Sequence, residues 1–372
     1  MYVRKDCRNF KGDRPCLYNT ASFACLDYQP QGKKILIIKL AAVGDVLRTT
    51  PILHGLKRKY PHSFITWITL KDAADLLETN HYIDRLLVYD SLVVEQLKAE
   101  KFDQLICLDK ETEAVVLANR ISARKKFGFG LNPKTGNVIP LNRESGYAWK
   151  LGLSDELKFR KNKKSYPQII FEMTRLKYRG DRYILNIPVI DREYAENLLN
   201  KMGISGGSPV IGLNTGAGGR FANKAWTETG FIELIRRIHD QLDTNILLLG
   251  GPNESELNAR IASKAGGIVY NAGCGYSLRQ FAAIIDKCCL IVCGDTMALH
   301  IALALKKIVV AIFGPTCEQE ITLYGRGIKL VSPISCRPCY KLECKKENNC
   351  MALVRTEDVF TAVQNSFRKC KP

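Results

Sequence analysis

The sequence lacks long apolar segments. Residues 1–27 contain no apolar stretch of the kind that forms a signal peptide, and the longest apolar runs, residues 288–293 and 308–313, have the length of buried β-strands. We therefore expect a cytoplasmic protein that folds around its own core. Contact with an anionic membrane surface is compatible with this expectation, because such a contact needs only positive surface charge.

Acidic residues are scarce relative to basic ones. The 372 residues include 37 Asp and Glu against 55 Lys and Arg, which gives a formal net charge of +18. An excess of this size raises the local concentration of anionic partners and speeds their association with the protein. Nucleic acid, anionic lipid and phosphorylated sugar are all partners of this kind, and the charge alone does not discriminate among them.

Two common nucleotide-binding motifs are missing. No Gly-x-Gly-x-x-Gly follows the first predicted strand, which argues against a nicotinamide-dependent oxidoreductase. The sequence also has no Gly-Lys-Ser/Thr order of the P-loop type. A nucleotide site in this chain must therefore be built from other turns.

Strand–helix alternation is present in two blocks. The first block begins with the apolar run 35–38, continues with a helical pattern at 46–57 that Pro61 ends, and returns to an apolar run at 64–69, which together form a βαβ unit. The second block begins at 210–213, after a Gly-rich break. This pattern predicts an α/β fold with two doubly wound domains. The predicted parts are a Cys-containing extension (1–32), an N-terminal domain (33–200), a C-terminal domain (201–355) and a closing helix (356–372).

The 14 cysteines include three groups, and in a reducing compartment we do not expect them to form disulfides. The members that sit in apolar runs are predicted core residues: Cys107, Cys288, Cys289 and Cys293. A second group has the spacing C-x₂-C-x₄-C-x₅-C, which is typical of a tetrahedral Zn or Fe site, and the alternative is a set of reduced surface thiols. That group is Cys336, Cys339, Cys344 and Cys350. Cys7, Cys16 and Cys25 are spaced more widely and either complete a second metal site or are unrelated.

Ligands of open α/β sheets bind at the carboxyl ends of strands, so the turns after the predicted strands carry the candidate ligand residues. The first turn is Gly44-Asp45, in which Asp45 fits a general base for a hydroxyl group, and the alternative is a helix N-cap. The second, residues 214–220 followed by Lys224, resembles a phosphate cradle of exposed backbone N–H groups with an added positive charge. The alternative there is a flexible surface loop.

The third and fourth turns follow later strands of the second block. Glu254 fits an acceptor of ribose hydroxyl groups, and the alternative is that Asn253 caps a helix while Glu254 favours its positive end. Asp295 opens a helix whose N-terminal N–H groups suit an anion, and His300 follows about one helical turn later.

Taken together and in this order, residues 35–51 and 293–300 resemble glycosyltransferase family 9, the ADP-heptose:lipopolysaccharide heptosyltransferases, and the resemblance extends over residues 33–355. Met297 and Leu299 stand where family members usually carry Gly and Ser. The resemblance implies a GT-B fold, in which two Rossmann-like domains face a central cleft, and an inverting transfer that needs no metal for its chemistry. The sequence agrees in lacking Asp-x-Asp, by which metal-dependent GT-A enzymes hold a nucleotide diphosphate.

The resemblance also implies roles for individual residues. Asp45 would deprotonate the acceptor hydroxyl, Lys224 would neutralise the diphosphate leaving group, and Glu254 would hold the ribose of the donor. Asp295 would hold sugar hydroxyls, with His300 in support, while the backbone of residues 296–298 would contact phosphate. The implied donor-binding set is Gly44, Thr215, Gly218, Lys224, Glu254, Asp295, Thr296, Met297, Ala298 and His300. The implied acceptor-binding set is Arg120, Arg124, Lys125, Lys126, Lys161, Lys163 and Lys164, for most of which the alternative is a solvated face.

The resulting hypothesis is the transfer of a heptose from ADP-heptose to a hydroxyl of an acidic acceptor, above all the inner core of lipopolysaccharide. Alternatives are another nucleotide sugar, a protein acceptor or, outside enzymes, a basic nucleic-acid-binding protein with a Cys₄ metal knuckle. Against the last, no nucleic-acid-binding motif occurs, so no nucleic-acid partner is expected. The family's lipid-anchored acceptors suggest a peripheral place at the cytoplasmic face of the inner membrane.

No cofactor is expected for the chemistry. A Zn or Fe ion in the Cys₄ loop would be structural, since four protein thiolates leave no open coordination position. Some protein heptosyltransferases related to the family hold iron in a site of this kind.

Overall fold

The computed structural model describes residues 4–13, 25–204, 207–218, 222–346 and 348–370. Cys16, Gly219 and Arg220, which the sequence patterns singled out, lie outside the described residues. The chain forms two compact units. The first consists of Met1–Asp155 and Pro167–Asp181, and the second of Glu156–Tyr166 and Arg182–Pro372. The basic segment 156–166 therefore belongs to the second unit, although it interrupts the first in sequence.

The first unit is built on one sheet. Its strands are β1 (Lys34–Ile38), β2 (Phe64–Thr69), β3 (Arg85–Val88), β4 (Lys101–Cys107), β5 (Ser122–Leu131) and β6 (Val138–Pro140). Their order is β3-β2-β1-β4-β5-β6, and all neighbours are parallel except β6, which runs antiparallel to β5. Residues 35–38 are fully buried, as expected for a parallel strand covered on both faces.

The helices of the first unit are α1 (Val43–Thr49), α2 (Ile52–Lys59), α3 (Lys71–Ala74), α4 (Ser91–Lys98), α5 (Thr112–Arg120), α6 (Gly146–Leu151) and α7 (Tyr166–Met173). The prediction of a single helix at 46–57 is wrong, because the helix is interrupted at residues 50 and 51, between α1 and α2. Pro51 has no N–H group to continue the helical hydrogen bonds, and the N–H of Thr50 instead donates to the carbonyl of Leu47 at 3.1 Å.

The second unit repeats the arrangement of the first. Its strands are β7 (Val210–Asn214), β8 (Asn245–Leu249), β9 (Tyr270–Asn271), β10 (Leu290–Gly294), β11 (Ile308–Phe313) and β12 (Gly327–Val331). They form a parallel sheet in the order β12-β11-β10-β7-β8-β9. Counted from its own first strand, each sheet has the strand order of a dinucleotide-binding fold. The predicted pair of doubly wound, Rossmann-like domains is confirmed.

The helices of the second unit are α8 (Val189–Lys201), α9 (Glu228–Gln241), α10 (Ser255–Ala265), α11 (Leu278–Lys287), α12 (Met297–Ala304) and α13 (Thr356–Phe367), and Glu156–Lys161 form a π-helical turn. Helix α13 packs on the apolar core through the buried side chains of Val359, Phe360 and Val363. No helix in the described part of the chain is long and apolar enough to cross a membrane.

The strand order reverses at one point in each sheet. The reversals lie between β1 and β4 in the first unit and between β7 and β10 in the second. Ligands of doubly wound folds bind beside such a reversal, at the carboxyl ends of the strands. The residues that follow these four strands are therefore the candidates for a functional site.

Candidate functional site

A pocket of about 390 Å³ lies at the reversal point of the second sheet, within the size range of small-molecule sites. Its walls come from the turns that follow β7, β8, β9 and β10. The lining residues are Asn214, Gly216, Ala217, Gly218, Gly250, Gly251, Pro252, Asn253, Glu254, Cys274, Tyr276, Ser277, Leu278, Phe281, Thr296, Met297 and Ala298. We call this space the donor pocket.

Glu254 joins the two Gly-rich turns of the donor pocket. Its carboxylate accepts hydrogen bonds from the N–H of Gly251 at 2.8 Å and from the N–H of Gly218 at 3.3 Å. A Cβ at Gly216 would lie 2.0 Å from Cγ of Glu254, so a larger residue there would displace the Glu254 side chain. The alternative that Asn253 caps the helix is wrong, since the residue at the N-cap of α10 is Glu254 itself. Glu254 thus shapes the pocket and presents its carboxylate to it.

Lys224, Asp295 and His300 come together at the end of β10. Nζ of Lys224 donates to the carbonyl oxygen of Asp295 at 3.2 Å and lies 3.6 Å from its Oδ2, while Nε2 of His300 lies 4.0 Å from Oδ1. Gly294 allows this approach, because a Cβ there would lie 2.8 Å from the carbonyl oxygen of Lys224. A cation and a carboxylate, both mostly buried, therefore stand at the strand end that also leads into α12.

The N-terminus of α12 forms one wall of the donor pocket. Thr296 is its N-cap but makes no side-chain capping hydrogen bond, so the amides of its first turn are not capped by that hydroxyl. Nδ2 of Asn214 donates to the carbonyl of Gly216 at 3.0 Å and lies 3.5 Å from Oγ1 of Thr296, which ties the end of β7 to this helix. The helix dipole makes this wall electropositive, a property that suits phosphate groups.

Sequence patterns did not identify the apolar wall of the donor pocket. The ring of Tyr276 stacks on Phe281 at a centroid distance of 5.6 Å, and its hydroxyl donates to the carbonyl of Gly250 at 2.7 Å. Burial raises the pKa of this hydroxyl, which keeps it a donor. Tyr276 follows a strand of only two residues, too short to stand out as an apolar run.

Thr215, a predicted donor ligand, has a different environment. Its side chain is fully buried, and Oγ1 donates to Oδ1 of Asn258 at 2.5 Å. Asn258, also fully buried, lies on α10. Thr215 therefore fixes the end of β7 against that helix, and its side chain is not among those that line the pocket.

In the first unit, Asp45 lies in the first turn of α1, after β1. The alternative that Asp45 is an N-cap is wrong, because the N-cap is Ala42 and Gly44 lies inside the helix rather than in a tight turn. Oδ1 of Asp45 lies 2.9 Å from Nε of Arg48, and the Asp45 side chain is 41% exposed. Its charge is favourable at the positive end of the helix, and its exposure leaves it accessible to a substrate.

A buried ion pair supports the turn that carries Asp45. Lys39 follows β1 and Asp109 follows β4, so the pair stands at the reversal point of the first sheet, with both side chains about 5% exposed. The carboxylate of Asp109 also accepts from the N–H of Leu40, and from the N–H of Ala41 at 3.4 Å. Asp109 thereby holds the backbone that leads into α1. The sequence signal for both residues is a polar side chain just after a buried strand, and neither residue was among the predicted site residues.

The predicted acceptor residues occupy several places. Arg120 ends α5, and Arg124 and Lys125 are exposed in the first half of β5, toward the amino ends of the strands, whereas Asp45 follows a carboxyl end. Nζ of Lys126 donates to the carbonyls of Ala118 and Asn119, at 2.7 and 3.2 Å. The remaining three predicted acceptor residues lie in the second unit, where Lys161 and Lys163 are exposed and Lys164 is half-buried.

The predicted core cysteines differ in how deeply they are buried. Burial raises the pKa of Cys107 and Cys288 to about 12 each, and Cys293 is also fully buried, so these three are core residues, whereas Cys289 is only half-buried. In the predicted metal loop, burial and the neighbouring thiols of Cys339, Cys344 and Cys336 raise the pKa of Cys350. Across the described residues, no group of three or more His, Cys, Asp or Glu side chains is arranged to hold a metal ion.

Comparison with known proteins adds to this geometry. Residues 92–349 match the sequence model of glycosyltransferase family 9 (heptosyltransferase). The lipopolysaccharide core heptosyltransferase OpsX of Haemophilus influenzae is 24% identical over 283 residues, which cover 73% of this chain and 76% of that protein. The structure of E. coli ADP-heptose LPS heptosyltransferase II is similar with a TM-score of 0.67 and 17% identity, covering 90% of this chain and 99% of that one.

A third similar protein contains a metal. The iron-containing heptosyltransferase TibC of enterotoxigenic E. coli, solved in complex with ADP-D-β-D-heptose, has a TM-score of 0.57 and 11% identity, covering 92% of this chain and 78% of that one. At this identity the similarity establishes a common fold.

Proposed function

The chain belongs to glycosyltransferase family 9, and from that premise we propose that it transfers a heptose from ADP-heptose to a hydroxyl group of an acidic acceptor, the inner core of lipopolysaccharide. The observation that carries this proposal is the donor pocket. It combines an electropositive helix terminus, a carboxylate and an apolar wall, which match the diphosphate, the ribose and the base of a nucleotide diphosphate sugar. The names of similar proteins, with ADP-heptose as donor and lipopolysaccharide as acceptor, support the same choice.

The proposed mechanism assigns one task to each group. Asp45 accepts the proton of the acceptor hydroxyl as its oxygen attacks C1 of the heptose, and the bond from C1 to the diphosphate oxygen breaks with inversion. The leaving ADP gains negative charge, which Lys224 and the N-terminal amides of α12 stabilise. Glu254 accepts hydrogen bonds from the ribose, and Asp295, supported by His300, from hydroxyls of the heptose. None of these steps uses a metal ion.

Replacing Lys224 by methionine is expected to weaken ADP binding by about 10- to 100-fold, because a charged hydrogen bond to phosphate is lost while the side-chain volume is kept. Isothermal titration calorimetry with the full-length protein measures this. The matched control is Lys264→Met, since Lys264 is an exposed lysine of the same unit that pairs with Glu228 at 2.7 Å, outside the donor pocket. Equal ADP affinity in Lys224→Met and the wild type would contradict the assignment.

The choice of donor has a separate test. Binding of ADP-heptose, UDP-sugars and GDP-sugars is compared by calorimetry, followed by an assay of transfer to lipopolysaccharide that lacks heptose. Binding and transfer with ADP-heptose alone is the expected result. Preference for a UDP- or GDP-sugar would overturn heptose as the transferred sugar, and binding of ADP-heptose without transfer to this acceptor would overturn lipopolysaccharide as the acceptor.

We also propose that the loop of Cys336, Cys339, Cys344 and Cys350 binds one Zn or Fe ion with a structural role. The support is the donor chemistry, because four thiols with the spacing C-x₂-C-x₄-C-x₅-C are the ligand set of structural Zn and Fe sites, although the described side chains are not grouped around one point. The ion would cross-link the loop through four thiolates. No step of the transfer involves it.

Metal analysis of protein purified under reducing conditions is expected to find about one Zn or Fe per chain. The double variant Cys339→Ser/Cys344→Ser should lose this metal, because two of the four thiolates are gone. Cys370→Ser is the matched control and should keep the metal, since Cys370 is a half-buried cysteine that lies three residues after α13. Absence of metal in both the wild type and the control, after growth with added zinc and iron, would leave the loop as a set of reduced thiols.

A further inference from the structure

A second cavity, of about 280 Å³, lies in the second unit outside the donor pocket. It is bounded on one side by the π-helical turn 156–161 and on the other by the segment 333–338, which leads into the Cys₄ loop. Its lining includes Arg160 and Arg337 together with Glu318, Gln319 and Ser335. We call this space the arginine cavity.

Aromatic stacking holds the two sides of the arginine cavity together. The ring of Phe159 lies parallel to that of Tyr340, at a centroid distance of 5.5 Å and an angle of 7°, and Nζ of Lys158 lies 3.9 Å from the same Tyr340 centroid. Nε2 of Gln319 donates to the carbonyl of Lys158 at 3.1 Å. The 156–161 turn is therefore a docked element of the second unit rather than a free basic loop.

Tyr340 is itself firmly anchored. Its N–H donates to the carbonyl of Pro315 at 2.9 Å, and its hydroxyl accepts from the N–H of Cys317 at 3.2 Å. Tyr340 follows Cys339, so the chain that carries the predicted metal ligands also carries the platform for Phe159. The position of Arg160 is thereby determined by the fold of the Cys₄ loop.

The two guanidinium groups retain donors for a ligand. Arg337 donates through Nε to the carbonyl of Ser332 and through Nη1 to Oε2 of Glu318 at 3.2 Å, and Arg160 donates through Nη2 to the carbonyl of Ser335 at 3.4 Å. A guanidinium has five N–H donors, so most remain available. The lining contains two cations, Arg160 and Arg337, and one carboxylate, Glu318, while Lys158 lies over the ring of Tyr340 and Glu320 acts electrostatically on the same tyrosine. Paired guanidinium groups suit the geometry of a phosphate.

We propose that the arginine cavity binds a phosphomonoester group of the acceptor, with Arg160 and Arg337 as its ligands and with Phe159 and Tyr340 as positioning residues. This rests on the proposed function in so far as the phosphomonoester belongs to an acceptor saccharide. Arg160 belongs to the basic run 158–164, from which the predicted acceptor set takes Lys161, Lys163 and Lys164, whereas Arg337 lies outside that run. Lys161 instead pairs with Glu156 at 2.7 Å.

The test is calorimetric titration of the full-length protein with glucose 6-phosphate in the presence of saturating ADP, which occupies the donor pocket. Arg160→Gln and Arg337→Gln are each expected to weaken binding by roughly 10-fold or more. Arg326→Gln is the matched control, because Arg326 is an exposed arginine of the same unit that donates to the carbonyl of Lys306 at 3.0 Å. Glucose without a phosphate group should not bind in the same titration.

Variants of Phe159 distinguish the positioning role of the aromatic stack from the effect of losing a positive charge. Phe159→Ala removes no charge but should weaken glucose 6-phosphate binding about as much as Arg160→Gln, and Phe159→Tyr, which keeps the stacked ring, should restore it. Thermal melting confirms that each variant is folded. Inorganic phosphate that binds as tightly as glucose 6-phosphate would show that the cavity is a phosphate site without preference for an acceptor, which overturns the assignment to the acceptor.

Wild-type affinity in both arginine variants, with melting temperatures unchanged, would overturn the proposal as a whole. The proposed function is tested by a different measurement, the titration with ADP or ADP-heptose alone. A protein that binds glucose 6-phosphate through Arg160 and Arg337 but binds no ADP would keep the arginine cavity and lose the donor assignment.

Discussion

Asp45→Asn is expected to lower kcat by about 10²- to 10⁴-fold, because the amide cannot accept the proton of the acceptor hydroxyl. Asparagine has nearly the same shape as aspartate and keeps α1 intact, so the loss is chemical rather than structural. ADP affinity should stay at the wild-type value, since the donor pocket is lined by residues of the second unit. Steady-state kinetics with ADP-heptose and the acceptor measures the first quantity, and calorimetry the second.

The matched control for Asp45 is Asp72→Asn. Asp72 is likewise an aspartate in the first turn of a helix of the first unit, but it lies on α3 rather than after β1, and it is exposed. This variant loses the same charge and should keep kcat within about twofold, since removing one exposed charge near a helix start changes stability only slightly. If Asp45→Asn retained wild-type kcat, Asp45 would not be the base.

Arg48 restricts the orientation of the Asp45 carboxylate. Its Nε lies 2.9 Å from Oδ1 of Asp45, so it fixes the direction in which the carboxylate points. A base must lie within hydrogen-bond reach of the proton that it accepts, and this ion pair limits the orientations that Asp45 can adopt.

The architecture was predictable where strands are buried on both faces. Such strands are continuous apolar runs, as at 35–38 and 308–313, and the patterns located them correctly. β5 was missed, because its first half reads Ser-Ala-Arg-Lys-Lys and is mostly exposed. β12 was missed for a similar reason, since it is an edge strand whose residues are only half-buried.

The candidate site was predictable where residues directly follow long strands. Asp295 directly follows β10, and Lys224 reaches it from the loop after β7, because β7 and β10 are neighbours in the sheet. The stack of Phe159 on Tyr340 was not predictable, since it joins segments that are far apart in sequence and neither carries a periodic pattern. The pair of Lys39 and Asp109 depends on β1 and β4 being adjacent, which only the strand order establishes.

That buried pair gives the second large prediction, which concerns stability. Asp109→Asn is expected to destabilise the protein by about 3–5 kcal/mol, because it leaves the buried ammonium of Lys39 without a counter-charge while keeping an oxygen for the N–H of Leu40. The melting temperature should fall by on the order of 10 °C. Glu95→Gln is the matched control, since it breaks an exposed pair with Lys98 in the same unit and should cost less than about 1 kcal/mol.

The double variant Lys39→Met/Asp109→Asn distinguishes a role of the ion pair in stability from a role in positioning Asp45. Removing both charges leaves no buried ion unpaired, so we expect it to recover most of the stability lost in Asp109→Asn. Its kcat should nevertheless stay roughly 10- to 100-fold below the wild type, because Lys39 no longer donates to the carbonyl of Ala41 in the turn that leads to Asp45, and a small misplacement of a base is costly. Recovery of kcat together with stability would mean that the pair serves the fold alone, whereas recovery of stability without kcat would make Lys39 and Asp109 positioning residues for the base.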